Sequence, residues 1–419
     1  MKATFQKLDN GLTVISDPME VGSVSIGVWI NAGSSKENKN QCGIAHMLEH
    51  MAFKGTENRS SETIVREIED VGGDINAYTS KEVTAYYLKV LYEHKELGID
   101  ILSDIVKNSI FPKHEIEREK SVIISEIGQS FDSPDDRVFE NFTSTAFRGQ
   151  SIGRPILGTK KTISAFERKD LKSFCMSHYA PENIVVVCSG RVEHQKFFEN
   201  VKERFAGFKH NYKPIKLKSE WFSGFCGEDR DLKQTQLVFG IEGFKNIDND
   251  RYSFQALSII LGGGMSSRLF QEIREKRGIC YSIFSFAQMQ SSTGYFGFYA
   301  GTYPENVQEL LETSINELNK LKNTITEAEV LKAKAQIRSS FMMGQENNSS
   351  RSEYLAKTMI IFGHLKTTKE VLMEIENISK NSLKNTIERL LFCAKPVLSV
   401  IGKNSSYYKM LDINSLFKY

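Results

Sequence analysis

The sequence predicts an α+β fold of two homologous halves, each an α/β sandwich with a mostly antiparallel sheet and helices. Short apolar segments with a period of two alternate with amphipathic segments of helical period along the 419 residues, as strands and helices do. The order of segments repeats after about 200 residues, which indicates an internal duplication with too few copies for a solenoid. We therefore expect domains at residues 1–210 and 233–419, joined by a linker at 211–232.

The first half opens with Asn10-Gly11 between two apolar segments, a dipeptide typical of a tight turn between two strands. A polar break at 132–136 separates the later elements of this half. The expected elements are further strands at 24–31, 75–79, 84–91 and 183–189, and helices at 44–53, 61–71, 94–108, 113–131 and 162–178.

The second half repeats this order with little identity in its residues. The linker holds Pro214 among lysines, which argues against a central strand there, and one short strand is expected near its end. The expected elements that follow are strands at 235–241, 279–285, 294–300 and 396–401, helices at 251–261 and 306–321, and two more helical stretches before the last strand.

Composition excludes several classes of protein. The chain is 40% hydrophobic and 25% charged, which is ordinary for a soluble globular protein. Its net charge is only +2, and its 54 basic residues are spread along the chain. Neither a nucleic-acid partner nor a membrane partner is therefore expected. No signal peptide is visible, and the six cysteines are widely spaced. We expect free thiols in a reducing, cytoplasmic setting.

One helix carries a potential metal-binding motif, His46-Met47-Leu48-Glu49-His50. The two histidines lie at i and i+4, one turn apart on one helix face, so both imidazoles can bind one ion. The alternative is a helix with two ordinary histidines and a solvated glutamate. Because the surrounding residues are apolar nearly all round, the helix is expected to be buried, and its buried polar groups need partners. The motif therefore favours a metal, and its order is typical of zinc peptidases.

Two histidines do not complete a catalytic zinc site, which takes three protein ligands and keeps one open position. The helix expected at 113–131 offers four glutamates, and the residues alone leave the choice open among Glu115, Glu117, Glu119 and Glu126.

With this motif and these glutamates, the chain resembles the inverted-motif zinc peptidases of the pitrilysin type, most closely their processing-peptidase branch. The resemblance implies one zinc ion per chain, with His46, His50 and Glu126 as its ligands. In that family the third ligand is a glutamate about 75 residues after the second histidine, and here Glu126 follows His50 by 76 residues (126 − 50). It further implies that Glu49 is the general base and that Glu119 supports the ligands.

The resemblance extends into the second half, where residues 261–281 look like the family's second-domain signature. It implies that Arg274 holds a substrate carbonyl and that Tyr281 donates a hydrogen bond to the developing oxyanion. Without the resemblance, Arg274 is a surface charge and Tyr281 a strand aromatic. Gly262-Gly263-Gly264 lacks the spacing of a phosphate-binding loop and is interpreted as a flexible turn. The resemblance implies that this turn faces the family's peptide chamber.

Two further sets of residues are expected to contact the substrate. The resemblance places an added substrate strand along residues 75–78, with Asn76 and Ala77 on its edge. Asp136 and Glu140, with Asp132 and Asp135, form an acidic cluster that would favour Arg or Lys in the substrate. A solvated acidic loop without a role in binding is the alternative, and the sequence does not decide between them.

The sequence thus predicts a zinc-dependent endopeptidase that cleaves unfolded peptides or presequence-like segments. The family encloses its substrate in a chamber of four related domains, so the resemblance implies a homodimer. The alternative is a non-catalytic structural or partner subunit of the same family, although such members usually lack part of the zinc motif. A metal-storage or metal-sensing protein would need neither Glu49 nor the second half.

Overall fold

The computed structural model describes residues 3–210, 215, 217–392 and 394–410. The predicted linker residues 211–214 and 216, the predicted free thiol of Cys393 and the C-terminal residues 411–419 lie outside the described residues. The chain divides into two compact units, and each is described by itself. Unit 1 consists of Met1–Gln129, Arg154–Lys216 and Met342–Leu365, and unit 2 of Ser130–Gly153, Leu217–Phe341 and Lys366–Tyr419.

The helices and strands of the first half follow the predicted order closely. They are β1 (Thr4–Lys7), β2 (Thr13–Pro18), β3 (Ser23–Ile30), α1 (Ile44–Ala52), α2 (Ser61–Glu69), β4 (Asp74–Thr79), β5 (Thr84–Leu91), α3 (Lys95–Asn108), α4 (Lys113–Asp132), α5 (Pro134–Ala146), α6 (Lys160–Ala165), α7 (Arg168–His178), β6 (Ile184–Gly190) and α8 (His194–Arg204).

The second half repeats the strands and adds helices near its end. Its elements are β7 (Gly224–Asp229), β8 (Thr235–Glu242), α9 (Arg251–Gly262), β9 (Cys280–Met289), β10 (Gly294–Thr302), α10 (Val307–Thr324), α11 (Glu327–Glu346), α12 (Asn348–Phe362), α13 (Thr368–Glu376), α14 (Lys380–Leu391) and β11 (Val397–Gly402).

The sheets of the two units share one topology. In unit 1 the strand order is β1-β2-β6-β3-β5-β4, and in unit 2 it is β7-β11-β8-β10-β9. One pair in each sheet is parallel, β2 with β6 and β7 with β11, and the other pairs are antiparallel. Without β1, the first order matches the second strand for strand. The predicted duplication and the mostly antiparallel sheets are therefore confirmed.

Each compact unit takes one segment from the other half of the chain. Helix α12 packs on unit 1, where Leu355, Ala356 and Met359 join Trp29 and Val187 in one buried cluster. The predicted domains were continuous in sequence, whereas the compact units are not.

Helix α5 makes the corresponding contact in unit 2. Its Phe142 ring lies 5.9 Å from the ring of Trp221 and 5.6 Å from that of Tyr295, between ring centroids. Hydrophobic burial of these large side chains fixes the helix on its sheet.

Local capping explains where the observed helices depart from prediction. The predicted break at 132–136 is confined to Ser133, which accepts a hydrogen bond from the N–H of Asp136 and begins α5. The predicted helix at 162–178 is two helices, because Phe166 is extended and Glu167 starts a capping box with Asp170. Helix α8 was not predicted, and the two helical stretches expected before the last strand are four helices, α11–α14.

Two global expectations concern cysteines and membranes. The five described cysteines are free thiols, as predicted for them. Among the residues that the structure describes, no helix combines the length and the apolar composition that crossing a bilayer requires.

His178, the last residue of α7, is buried in unit 1. Its side chain packs on Phe174, with ring centroids 4.3 Å apart, and the residue is 5% exposed. Burial, and after it the charge of Lys36, lowers the pKa of His178 to about 4. The imidazole is therefore neutral in the folded chain at neutral pH.

This burial predicts a pH-dependent stability. Between pH 6.5 and pH 4 the unfolded chain binds a proton at His178 that the folded chain refuses, so the free energy of unfolding falls as the pH falls. A pKa lowered from 6.5 to about 4 corresponds to a loss of about 3 kcal/mol across that window. Urea unfolding at several pH values would measure it. His178→Gln should reduce the dependence by about this amount, and the exposed control His364→Gln should keep it. Equal slopes for wild type and His178→Gln would contradict the assignment.

Candidate metal centre

Helix α1 is buried on one side and carries ionisable groups on the other. Its six apolar residues are all buried: Ile44, Ala45, Met47, Leu48, Met51 and Ala52. The remaining face presents His46, Glu49 and His50, which is the arrangement that the i, i+4 spacing predicts.

Glu126 of α4 lies opposite the two histidines of α1. Its Oε2 is 3.7 Å from Nε2 of His46 and 3.6 Å from Nε2 of His50. The three ligand atoms all lie within 4.8 Å of one another. Two ligands of one tetrahedral zinc ion lie about 3.4 Å apart, so the three donors need only small shifts to share one ion. This answers the choice among the four glutamates by geometry: Glu126 is the one that faces both imidazoles.

The protonation of His46 suits a metal ligand, because metals bind neutral imidazole. Burial lowers the pKa of His46 to about 4, and the neighbouring His50 adds to the effect. The Nδ1 atom of His46 is buried and, within the described residues, has no hydrogen-bond partner. On its Nδ1 side the ring is therefore held by packing and by the backbone of α1, while its other contacts are to His50 and Glu126.

His50, in contrast, is oriented by a chain of charges. Its Nδ1 lies 2.9 Å from Oε2 of Glu119, and the other carboxylate oxygen of Glu119 lies 2.8 Å from Nζ of Lys54. Burial acts to raise the pKa of Glu119, but the bonds to Lys54 and His50 outweigh it and lower that pKa. The ionised carboxylate then accepts the Nδ1 hydrogen and directs Nε2 towards Glu126.

Glu49 lies between the metal ligands and strand β4. Burial raises the pKa of its carboxyl, while the nearby hydroxyl and backbone N–H of Thr79 lower that pKa in part. The Thr79 hydroxyl also lies 3.4 Å from the carbonyl oxygen of Ala45. A carboxyl group with a raised pKa suits a group that accepts and returns a proton.

Lys54 and Thr79 were not identified from the sequence. Lys54 lies four residues after His50, so helical spacing alone would have placed it near the same face. Thr79 ends β4, and no local pattern distinguishes it from other strand threonines. Its role follows only from the packing of β4 beside α1.

The two residues expected to bind substrate backbone lie on an open edge. Strand β4 ends the sheet of unit 1 and, among the described strands, pairs only with β5. The N–H of Ala77 bonds to Oδ1 of Asn76 at 2.8 Å, which is a local contact and not part of a ladder. Ala77 and Thr79 are two residues apart and so share an edge of the strand.

The remaining predicted site residues lie in unit 2. Arg274 belongs to a π-helical turn, Phe270–Glu275, and its guanidinium lies 4.7 Å from the ring of Phe270 and 4.9 Å from the ring of Tyr281. Tyr281 is 75% exposed. Arg274 is therefore held by two aromatic rings and is more than an isolated surface charge.

The acidic residues lie in helices and not in the loop that the alternative assumed, and Asp135 and Asp136 are exposed to solvent. Asp135 and Asp136 lie in the first turn of α5, where negative charge is favourable near the helix N-terminus. Asp135 accepts a hydrogen bond of 3.0 Å from the Tyr299 hydroxyl. Glu140, one turn further on, pairs with Arg137 at 3.1 Å.

Comparisons with known proteins agree with this site. Residues 13–160 match the family model described as Insulinase (Peptidase family M16), and residues 165–337 match the model described as Peptidase M16 inactive domain. A Rickettsia felis protein named as an uncharacterized zinc protease is 39% identical over 408 residues, which cover 96% of this chain and 99% of that protein. A Bacillus subtilis protein of the same description is 33% identical over 400 residues, 95% of this chain and 97% of that protein.

Solved structures share the fold. The crystal structure of a protease from Helicobacter pylori has a TM-score of 0.89 at 25% identity, with 96% of this chain and 99% of that chain covered. A structure from Pseudomonas fluorescens titled as a peptidase M16 inactive domain has a TM-score of 0.90 at 20% identity, with the same coverage. That second likeness concerns the fold alone.

The contacts of Glu119 with His50 and Lys54 predict that Glu119 increases the affinity of the site for zinc. Glu119→Gln removes the negative charge that Lys54 and His50 share, so we expect zinc affinity to fall by about 10- to 100-fold with the fold retained. Competition with a chelator would measure this affinity. Glu117→Gln is a matched control on the same helix, because Glu117 is exposed and pairs with Lys120. Equal zinc affinity in wild type and Glu119→Gln would contradict the role.

Proposed function

The chain belongs to peptidase family M16, and from this we propose that it is a zinc-dependent endopeptidase that cleaves unfolded peptides. The observation that carries the proposal is the convergence of His46, His50 and Glu126 within 4.8 Å of one another, with Glu49 on the same helix face. Homologous zinc proteases imply the identity of the metal. A bound zinc ion would act as a Lewis acid that polarises the peptide carbonyl.

The chain's own residues supply the proton transfers. Glu49 takes a proton from the attacking water and returns one to the leaving amine nitrogen. Thr79, beside the Glu49 carboxyl group, lowers its pKa in part and so favours the ionised form that accepts the first proton. Glu119 and Lys54 hold His50 in the tautomer that leaves Nε2 free for the ion.

The edge of β4 provides a means to bind peptide backbone. An extended peptide can add to this edge as a further strand, with main-chain hydrogen bonds that do not depend on sequence. Because Thr79 on this strand lies beside Glu49, a peptide beside Asn76 and Ala77 would pass close to the base. Folded proteins do not present such a free strand, which accounts for the expected preference for unfolded segments.

The match to an inactive domain does not argue for a non-catalytic partner. That match covers residues 165–337, which contain neither the His-x-x-Glu-His motif nor Glu126. We also propose that two copies associate, because the family's chamber uses four related domains and one chain supplies two. Light scattering on the purified chain would test the association.

The main test is cleavage of an arginine-containing, presequence-like peptide, followed by mass spectrometry. We expect wild type to cleave it, a chelator to stop cleavage, and Glu49→Gln to lower the rate by roughly two to four orders of magnitude. The zinc content of Glu49→Gln should equal that of wild type, since Glu49 is not a ligand. Glu62→Gln, at an exposed position outside the site, is the control.

The outcomes separate the two candidate functions. Retained activity in Glu49→Gln would remove Glu49 from the mechanism. Absence of cleavage in every sample, with zinc confirmed in the protein, would favour the alternative of a non-catalytic or partner-dependent subunit.

The acidic residues of α5 give a second test, of specificity. If Asp136 and Glu140 favour basic side chains, the double variant Asp136→Asn with Glu140→Gln should lower the preference for arginine over glutamine peptides by about threefold or more in kcat/KM. High salt should reduce the wild-type preference as well, because exposed charges are screened. Asp231→Asn, at a highly exposed site in the same unit, is the control. An unchanged preference would assign these carboxylates to the stability of α5 alone.

A further inference from the structure

The start of the metal-binding helix is held by a side chain that the proposed mechanism does not use. Helix α1 begins after Gly43, which has no side chain to cap the helix, and the first N–H groups of a helix have no partners within it. The side chain of Glu37 provides hydrogen-bond acceptors for two N–H groups at this helix start. Its Oε2 accepts from the N–H of Gly43 and its Oε1 from the N–H of Ala45, both at 3.0 Å.

Glu37 is buried, and hydrogen bonds from two basic side chains fix the backbone around it. It is 3% exposed. The guanidinium of Arg154 donates to the backbone carbonyl of Glu37, and the ammonium group of Lys81 donates to the carbonyl of Arg154. Both bonds go to backbone carbonyls, so they fix the chain on either side of the Glu37 carboxyl group.

The backbone at the helix start is fixed as well. Gly43 has a φ of +93°, and a Cβ added there would lie 2.8 Å from the Cα of Gly158 and from the carbonyl oxygen of Leu157. Left-handed φ and this close approach both require glycine. The close contact of Gly43 with residues 157–158 therefore fixes where the first turn of α1 lies. The carboxyl group of Glu37 bonds that turn in the same place.

The two histidines depend on this anchor to different degrees. His50 is oriented by Glu119 at 2.9 Å. His46 lies in the first turn, directly after Ala45, and its buried Nδ1 has no partner among the described residues. The direction of its Nε2 therefore follows the backbone that Glu37 fixes.

We propose that Glu37 is a positioning residue for the metal ligand His46, acting through the first turn of α1. The proposal rests on the proposed zinc site. It implies that loss of Glu37 weakens zinc binding beyond any general loss of stability, because Nδ1 of His46 has no hydrogen-bond partner among the described residues that could hold the ring in its place.

The test measures zinc affinity by chelator competition on the full chain, for wild type, Glu37→Ala, Glu37→Gln and Asp104→Ala. Asp104 is the matched control, because it is a buried carboxylate of unit 1, 4% exposed, whose partners are Thr56, Asn58, Arg59 and Asn108. We expect Glu37→Ala to weaken zinc binding by about tenfold or more. Glu37→Gln keeps one acceptor and should lose less, and Asp104→Ala should bind as wild type does while folded.

A second readout separates positioning from simple loss of stability. Cobalt(II) in place of zinc reports ligand geometry through its visible absorption, and we expect this spectrum to change in Glu37→Ala and to stay unchanged in Asp104→Ala. Wild-type affinity and spectrum in Glu37→Ala would overturn the proposal, as would an equal loss in Asp104→Ala. If Glu37→Ala fails to fold, Glu37→Gln decides: weaker binding supports the proposal and wild-type binding overturns it. Failure of wild type itself to bind zinc would instead contradict the proposed function.

Discussion

Helix α1 brings two imidazoles and a carboxylate to the border of an apolar core, and the partners that these groups require organise unit 1. Six of its nine residues are buried apolar side chains, so hydrophobic burial fixes the helix against the sheet. Burial then makes an unpartnered charge costly. Glu119 and Lys54 meet this requirement for His50, Thr79 for Glu49, and Glu37 for the helix terminus. Glu119 lies in α4, Thr79 in β4 and Glu37 in the loop before α1. The site therefore connects α1 to each of these three segments.

Much of this could be predicted from the sequence, because local patterns determine it. Helical spacing placed His46 and His50 on one face, and alternation placed β4 and β5 as a strand pair. The choice of Glu126 came from family resemblance, because four glutamates at helical spacing look alike in isolation. The structure separates them by distance, since Glu126 faces both imidazoles and Glu119 faces the Nδ1 side of His50.

What could not be predicted depends on contacts between residues far apart in the chain. Thr79 and Glu37 have ordinary local sequences, and their importance follows from packing beside α1. The acidic residues after α4 were compatible with a loop, because Ser133-Pro134 both ends one helix and begins the next. The placement of α5 and α12 on sheets of the opposite half reverses the usual rule that neighbours in sequence pack together. Amphipathic periodicity indicates that a face is buried, but not against which sheet.

Helix α9 of unit 2 occupies the place in its sheet order that α1 occupies in unit 1, so the two helices can be compared. Helix α9 follows β8 as α1 follows β3, on a sheet of the same strand order. Its buried polar residues are serines: Ser258 pairs with Ser285 at 3.1 Å, and Ser253 with Ser382 at 3.0 Å. Neutral hydroxyl pairs satisfy one another without a net charge, and the one charged residue of α9, Arg251 at its start, pairs with Glu374. The same strand order thus occurs without a counterpart of the His46, Glu49 and His50 set on α9, and the chemistry of α1 is an addition to the shared scaffold. The charged partners in unit 1 are therefore best explained by the site that they support.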